Sequence, residues 1–299
     1  MADKLIAVYC IAGCSRSGKS FVLDLFLKYL LNGGREDWID VDIEESFKYS
    51  NSEDRVATGI WIWSEPIIRK DREGNDIAVF LMDTQGWHDS RQPKRDDELI
   101  FELSTLLSSV ILFNVEKRIN EDVLFYLQNL TSTAHALGEM DDQPFQRLVF
   151  LVRDWLAFDV MNDFPYGYYD SQRPTEFRDF IQYKWEPSGR SEQDNKIRKM
   201  ISLLYERICA YLMPNPGKII YYNKFDGSKI DNEFKDHLVN FCSILFDEGN
   251  IVPNQFNGVY LKGMQLFELI KGKWSKDFKL DLLKPRNEGP DESVYRLAY

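Results

Sequence analysis

Eight residues near the start of the chain have the types and spacing needed to hold a phosphate group. The stretch Gly13–Ser20, GCSRSGKS, fits the pattern G-x-x-x-x-G-K-[ST]. Gly13 and Gly18 permit backbone angles that turn successive N–H groups toward one bound anion. We expect Lys19 to reach the outer phosphates of a nucleotide and Ser20 to hold Mg²⁺. The stretch therefore predicts a nucleotide-binding loop.

A second candidate motif ends an apolar run further along the chain. Residues 83–86 read DTQG, which matches the D-x-x-G of switches that respond to a bound guanine nucleotide. We expect Asp83 to lie on the magnesium side and the N–H of Gly86 to contact the γ-phosphate. Thr58 directly precedes the strand predicted at residues 59–67, and it is a candidate switch hydroxyl for the metal and the phosphate. The predicted metal ligands are therefore Ser20, Thr58 and Asp83.

Two stretches compete for recognition of the base. Arg153-Asp154 follows the fifth predicted strand, where a Ras-like strand order places the base-reading aspartate. Residues 223–226 spell NKFD, the common guanine reader N-K-x-D, but follow the sixth predicted strand. A carboxylate suits guanine because it can accept hydrogen bonds from both N–H donors on one edge of the base. Strand order favours Arg153-Asp154, and NKFD remains the alternative reader.

The arginine inside the loop also allows two interpretations. Arg16 could be an ordinary solvated side chain, because a loop arginine contributes nothing to a core. It could instead be an arginine finger supplied by the same chain, which neutralises charge that develops on the phosphates. Such a group accelerates phosphoryl transfer by roughly 10³ to 10⁵-fold. We favour the finger.

Strands and helices must position these motifs, and the hydrophobic pattern predicts both. Apolar runs predict strands at residues 5–12, 59–67, 77–83, 109–115, 148–152 and 218–222, and helical spacing predicts helices at 21–31, 121–138, 193–212, 232–246 and 257–274. This alternation, with one hairpin, indicates an α/β P-loop fold with a mostly parallel central sheet and helices on both faces. Each motif follows a strand, and ligands of such sheets bind at the carboxyl ends of the strands.

Composition argues against several other classes of protein. The chain has 299 residues and 44% hydrophobic residues, enough for a large core, and its net charge of -11 disfavours nucleic acid as a partner. No apolar run approaches the roughly 20 residues that span a bilayer. The four cysteines form no C-x-x-C pair, so neither a zinc site nor a disulfide framework is expected. This cysteine usage indicates a reducing, cytoplasmic compartment.

Five stretches together resemble the GTPase domain of the atlastin family, within the dynamin superfamily and near the guanylate-binding proteins. They are AGCSRSGKSFVLDLFLKYL, TGIWIWSEP, VFLMDTQGWHDS, PFQRLVFLVRDW and NPGKIIYYNKFDG. The resemblance covers about residues 5–272. It implies a GTPase domain of the GB1/RHD3 type at residues 1–250, a C-terminal helix or linker at 251–275 and a polar tail at 276–299.

The resemblance implies a Mg²⁺-dependent GTPase that converts GTP to GDP and dimerises through its GTPase heads. In that family the cycle tethers and fuses endoplasmic reticulum membranes, which implies a place in the cytoplasm at the cytosolic face of that organelle and atlastin-like proteins as partners. The matching positions assign catalytic roles to Ser15, Arg16 and Thr58. The implied nucleotide contacts are Gly13, Cys14, Ser15, Arg16, Ser17, Gly18, Lys19, Ser20, Phe21, Gln85, Gly86, Arg153 and Asp154. The alternative is a GTP-binding regulatory module with little turnover that modulates full-length atlastin-like proteins.

The two candidate base readers can be separated by one pair of matched substitutions. Asp154→Asn is expected to weaken the preference for GTP over ATP by about 10-fold or more, because an amide cannot accept both guanine donors through charged oxygens. Asp226→Asn is expected to leave that preference unchanged. Titration calorimetry with both nucleotides measures the ratio, and the reverse pattern would assign base reading to NKFD.

Overall fold

The computed structural model describes residues 3–35, 37–39, 47, 59–86, 94–119, 123–124, 127, 145–156, 164–172, 192–217, 229–256, 258–266, 268, 281–285 and 294–298. The strands are β1 (Leu5–Gly13), β2 (Ile60–Trp63), β3 (Ile67–Lys70), β4 (Asp76–Thr84), β5 (Val110–Glu116), β6 (Phe145–Arg153), β7 (Gly167–Asp170), β8 (Tyr205–Leu212), β9 (Gln255–Phe256), β10 (Val259–Tyr260), β11 (Asp281–Pro285) and β12 (Val294–Ala298). The helices are α1 (Lys19–Leu31), α2 (Lys94–Leu107), α3 (Glu192–Leu204) and α4 (Asn232–Phe246).

A ten-stranded sheet organises the described part of the chain. Its order is β11-β12-β2-β4-β1-β5-β6-β8-β7. Strand β3 also pairs with β4, along a different part of that strand from β2. The five central strands, β4-β1-β5-β6-β8, are parallel to one another. Strands β2 and β3 run antiparallel to β4, and β7 runs antiparallel to β8. The carboxyl ends of β4, β1, β5 and β6 therefore meet along one edge, where each predicted motif of the described residues lies.

Both faces of the sheet are covered by helices. Alternate residues of β1 point to opposite faces, so Tyr9 packs with one buried cluster and Cys10 with the other. On the first face α1 meets α4, and the ring of Phe26 lies 5.7 Å from Phe241 and 5.2 Å from Phe246. On the second face α2 and α3 contribute buried residues such as Phe101 and Ile201. The predicted mostly parallel α/β sheet with helices on both faces is confirmed.

Two predicted elements have different bounds in the structure. The strand expected at 59–67 is two strands, β2 and β3, because the chain leaves the ladder before Pro66, which has no N–H to donate. Both pair with β4, so the predicted hairpin is confirmed. The helix expected at 193–212 ends at Leu204, and the remainder forms β8. In β8 residues 208–212 are all buried, and a strand buried on both faces has the continuous apolar run of a buried helix.

Other differences concern the ends and connections of the fold. Helix α2 and strand β7 were not predicted from the sequence. The helix expected at 257–274 is preceded by the β9–β10 hairpin, and helical residues begin only at residue 263. The predicted polar tail at 276–299 contains β11 and β12, of which β12 pairs with β2. The predicted division into domains stays a prediction. The predicted strand at 218–222 and most of the helix at 121–138 lie outside the described residues.

A buried asparagine ties the segment after α4 to the amino-terminal end of β1. Asn254 is 3% exposed. Its Oδ1 accepts from the N–H of Val8 at 2.8 Å, and its Nδ2 donates to the carbonyl of Leu107 at 2.8 Å. Its backbone N–H donates to the carbonyl of Ile6 at 2.7 Å. One amide thus connects the C-terminal segment, β1 and the end of α2.

Asn254→Ala is expected to lower the free energy of unfolding by about 2 kcal/mol or more, because a buried N–H and a buried carbonyl both lose their partner. Urea denaturation followed by circular dichroism measures this loss. Asn232→Ala, at an exposed position at the start of α4, is the matched control and should change stability by less than about 0.5 kcal/mol. Equal, small effects of both substitutions would show that the hydrogen bonds of Asn254 do not stabilise the fold.

Candidate functional site

The loop between β1 and α1 has the backbone geometry of an anion-binding turn. Gly18 directly precedes α1 and has a left-handed φ of 77°, and Arg16 has a φ of 60°. No side chain accepts a hydrogen bond as a cap at Gly18, and the first turn of α1 carries no acidic residue. The first N–H groups of a helix attract anions through their unsatisfied donors and the helix dipole. The start of α1 therefore suits a phosphate group.

The side chain of Lys19 is buried against the backbone of this loop. Its Nζ donates to the carbonyl of Gly13 at 3.1 Å and to that of Cys14 at 2.9 Å. Burial lowers the pKa of Lys19 to about 8, and the Asp83 carboxylate opposes that shift. An ammonium that is removed from water and hydrogen-bonded to neutral carbonyls has much to gain from an anionic partner. Lys19 is thus placed to bind phosphate oxygens.

Asp83 and Ser20 form the part of the site that suits a metal ion. Ser20 Oγ donates to Asp83 Oδ2 at 2.5 Å. Asp83 is 2% exposed, and its Oδ1 has no hydrogen-bond partner among the residues that the structure describes. Burial raises the pKa of Asp83 to about 6, against the effect of Lys19. A buried carboxylate oxygen without a donor, next to a hydroxyl, fits the oxygen ligands that Mg²⁺ prefers. The third predicted ligand, Thr58, lies outside the described residues.

Gly86 brings the end of the DTQG motif against the loop. A Cβ at Gly86 would lie 2.3 Å from Ser15 Cα and 2.8 Å from Lys19 Nζ, so no larger residue fits without moving the backbone. Gln85 has a different role. Its backbone N–H donates to the carbonyl of Gly59 at 2.8 Å, and its Oε1 accepts from the Gly59 N–H at 2.9 Å. Gln85 thus fixes the residue that follows Thr58, and its contact with a nucleotide stays a prediction.

The favoured base-reading pair lies at the end of β6, on the same edge of the sheet. Arg153 Nη1 is 3.4 Å from Asp154 Oδ2. Asp154 has a left-handed φ of 56°, and its Oδ1 accepts from Asn215 Nδ2 at 2.6 Å. A carboxylate can accept about four hydrogen bonds, so Asp154 keeps the capacity for two more donors. The competing NKFD stretch lies outside the described residues.

Two asparagines of the site were not found from the sequence. Asn114, in β5, contacts both the loop residue Ser17 and Arg153. Asn215, in the loop after β8, contacts Asp154. The available signal for Asn114 was an amide inside the apolar run SVILFNV, since a buried amide must be hydrogen-bonded. Asn215 lies in the sequence MPNPG, which reads only as a turn.

The remaining predicted residues lie around this centre. Cys14 and Arg16 are exposed on the loop. Phe21 is half-buried and packs against the core on the α1 face. Among the predicted residues that the structure describes, those of the loop, Asp83, Gly86, Arg153 and Asp154 lie at or directly after the carboxyl ends of β1, β4 and β6, which are parallel. The arrangement can hold a magnesium-bound phosphate chain at one end and a base at the other.

Comparison with known proteins identifies the family of the chain. The family model of the guanylate-binding protein N-terminal domain matches residues 1–253. The chain belongs to this family. It is therefore a GTPase-family domain with the P-loop fold, and its resemblance to the atlastins is confirmed by the relatives described next. Among the residues that the structure describes, no helix has the length and apolar character needed to cross a bilayer.

The similar proteins are atlastins from several animals. Atlastin of Drosophila melanogaster is 35% identical over 280 residues, which cover 89% of this chain and 50% of that protein. Atlastin-1 of Bos taurus is 34% identical over 277 residues, with 90% of this chain and 48% of that protein covered. Atlastin-2 of Homo sapiens is 34% identical over 275 residues, with 90% and 46% covered. The chain thus spans about half the length of the curated relatives that it matches.

Lys19→Ala is expected to weaken nucleotide binding by about 100-fold or more, because the variant lacks the ammonium that would meet the outer phosphates. Calorimetric titration with GTP and the rise of Tm on adding GTP measure this loss. Lys4→Ala, at the opposite end of β1, is the control. Unchanged GTP affinity in Lys19→Ala would contradict the loop assignment.

Proposed function

We propose that this chain binds GTP together with Mg²⁺ and hydrolyses it to GDP and phosphate. The observation that carries the proposal is the buried Asp83 carboxylate, which is hydrogen-bonded to Ser20 beside the buried Lys19. One oxygen of this carboxylate has no hydrogen-bond donor among the residues that the structure describes, which leaves it available to a cation. Membership of a family that generally hydrolyses GTP supports the same reaction.

Each part of the site would then stabilise a different part of the nucleotide. Ser20 and Asp83 would hold Mg²⁺, which supplies positive charge to the β- and γ-phosphate oxygens. Lys19 and the N–H groups at the start of α1 would bind the phosphates. Gly86 lies against Ser15 and Lys19, and its N–H would contact the γ-phosphate there. These groups position the phosphates and exclude water from their charged oxygens.

Guanine would be read by Asp154. Its two oxygens each accept one hydrogen bond within the protein and keep room for the two N–H donors of the base. The left-handed backbone at Asp154 carries the carboxylate past the end of β6, on the ligand edge of the sheet. Adenine lacks this pair of donors, so the proposed site should prefer GTP to ATP.

Arg16 is proposed as the catalytic arginine, supplied by the chain's own loop. It is exposed and has a left-handed backbone conformation three residues before Lys19. Its guanidinium would have to be held in one orientation to contact the phosphates. A head-to-head dimer would supply that order, as the resemblance to the atlastins implies. Ser15 and Thr58 are proposed to complete the catalytic groups.

At the level of the whole protein, we propose nucleotide-dependent dimerisation linked to tethering or fusion of endoplasmic reticulum membranes. The support is the similarity to atlastins over nine-tenths of this chain. A GTP-binding module with little turnover, which modulates full-length atlastin-like proteins, is the alternative. The two proposals differ in whether bound GTP is consumed.

Arg16→Ala is expected to leave GTP affinity nearly unchanged and to reduce turnover by roughly 10³-fold or more, because the charge on the transferring phosphate loses its cation. The measurement is phosphate release per molecule across a range of protein concentrations. In the original chain the rate per molecule should rise with concentration as heads pair, and in the variant this rise should vanish.

Arg72→Ala is the matched control, since Arg72 is exposed in the turn at the opposite end of β4. It should behave like the original chain. Turnover that is negligible at every concentration, with GTP still bound, would favour the regulatory module. Equal turnover in Arg16→Ala and the original chain would return Arg16 to a solvated role.

A further inference from the structure

Asn114 is a buried amide that contacts both halves of the site. The residue is 1% exposed and lies in β5, between β1 and β6. Its Nδ2 donates to the carbonyl of Ser17 at 2.7 Å and lies 3.1 Å from Ser17 Oγ. Its Oδ1 accepts from Arg153 Nε at 2.8 Å. One side chain thus connects the phosphate loop to the base-reading pair.

The partners of Asn114 leave no freedom in how its amide is oriented. The Nε–H of Arg153 can only donate, so it must face Oδ1 of Asn114. The carbonyl of Ser17 can only accept, so it must face Nδ2. Aspartate would supply the acceptor without the donor, and alanine would supply neither. The hydrogen bonds to Ser17 and from Arg153 together therefore require asparagine at this position.

The contacts of Asn114 form part of a longer chain of hydrogen bonds. From Ser17 the chain passes through Asn114 to Arg153 and on to Asp154. It ends at Asn215, whose Nδ2 donates to Asp154. Arg153 also lies close to the loop itself, since its Nη1 is 3.9 Å from where a Cβ of Gly18 would be. The distance from the phosphate loop to the base-reading carboxylate is therefore fixed by polar contacts.

We propose that Asn114 is the positioning residue that sets guanine selectivity, by holding Arg153 and Asp154 at a fixed place relative to the phosphate loop. It acts through Arg153 and needs no contact with the nucleotide. If the guanidinium is released, Asp154 loses one of its two hydrogen-bond partners among the described residues, and its carboxylate can rotate away from the base. The inference rests on the proposed function, because it concerns the nucleotide of the same site.

A test must distinguish positioning from general support of the fold. Inosine diphosphate is suitable because hypoxanthine keeps the N1–H of guanine and lacks the exocyclic amino group. The ratio of the Kd for IDP to that for GDP then reports how well the carboxylate meets that amino group. A residue that only stabilises the fold would change both affinities together and leave the ratio alone. Diphosphates also avoid hydrolysis during the measurement.

Asn114→Ala is expected to lower the IDP-to-GDP ratio of Kd values by about 10-fold, because the bond that orients Arg153 is lost. Asn114→Asp keeps an acceptor for Arg153 but repels the carbonyl of Ser17. It should keep the ratio while weakening both diphosphates by about 10-fold. Asn254→Ala, which removes an equally buried amide at the other end of the sheet, should change neither affinity. Calorimetry on the full chain at a temperature where every variant is folded gives all the values.

Several outcomes would overturn the inference. One is an unchanged ratio in Asn114→Ala. If that variant does not fold, the test rests on Asn114→Asp. A ratio of the IDP to the GDP Kd that falls in this variant would show that the hydrogen bond from Arg153 does not set selectivity. The proposed function fails separately if the original chain does not prefer GDP to ADP. If Asp154→Asn removes the preference for GDP while Asn114→Ala retains it, only the role of Asn114 is wrong.

Discussion

Two opposite charges that are buried without full compensation are the constraint on which this site depends. Burial lowers the pKa of Lys19 and raises that of Asp83, so each group is driven toward its neutral form and is partly restored by the other. In an ordinary core such a pair is a poor source of stability, because desolvation offsets most of the attraction. Here one carboxylate oxygen of Asp83 has no donor among the described residues, and Lys19 is hydrogen-bonded to neutral carbonyls, in a place that suits phosphate and Mg²⁺. The lost stability is what the proposed ligand would recover on binding.

The parallel sheet makes this arrangement possible, because its register converts distant sequence positions into neighbours. Ile11 in β1 is opposite Asp83 in β4, and Gly13 is opposite Asn114 in β5. Glu116 in β5 is opposite Arg153 in β6. All of these strands end on the same edge, so the loop after β1 lies between the proposed metal ligand Asp83 and the proposed base-reading pair. The helices on both faces fill the core and leave that edge to polar residues.

Local patterns in the sequence were sufficient to predict much of the fold. The glycine spacing and apolar runs around residues 5–31 predicted β1, the loop and α1, and strand order favoured Arg153-Asp154. Patterns failed where tertiary context decides. Strand β8 has a continuous apolar run because it is buried on both faces, and this run resembles the end of a helix. Asn114 gave no spacing to recognise, since its partners Ser17 and Arg153 are distant along the chain and meet it only through strand register.

Asn114 and Asn254 show how position in the sheet decides what one residue type does. Both are asparagines with almost no exposure, and each uses its amide as donor and acceptor at once. Asn254 joins backbone groups at the amino-terminal end of β1, so its bonds hold a chain segment to the core. Asn114 joins a loop carbonyl to a charged side chain at the carboxyl end, where hydrogen bonds in series reinforce one another in a low dielectric. The first arrangement is expected to stabilise the fold. The second is proposed to hold the base-reading pair at a fixed place relative to the phosphate loop, and it needs directional hydrogen bonds, which a hydrophobic contact of the same area does not provide.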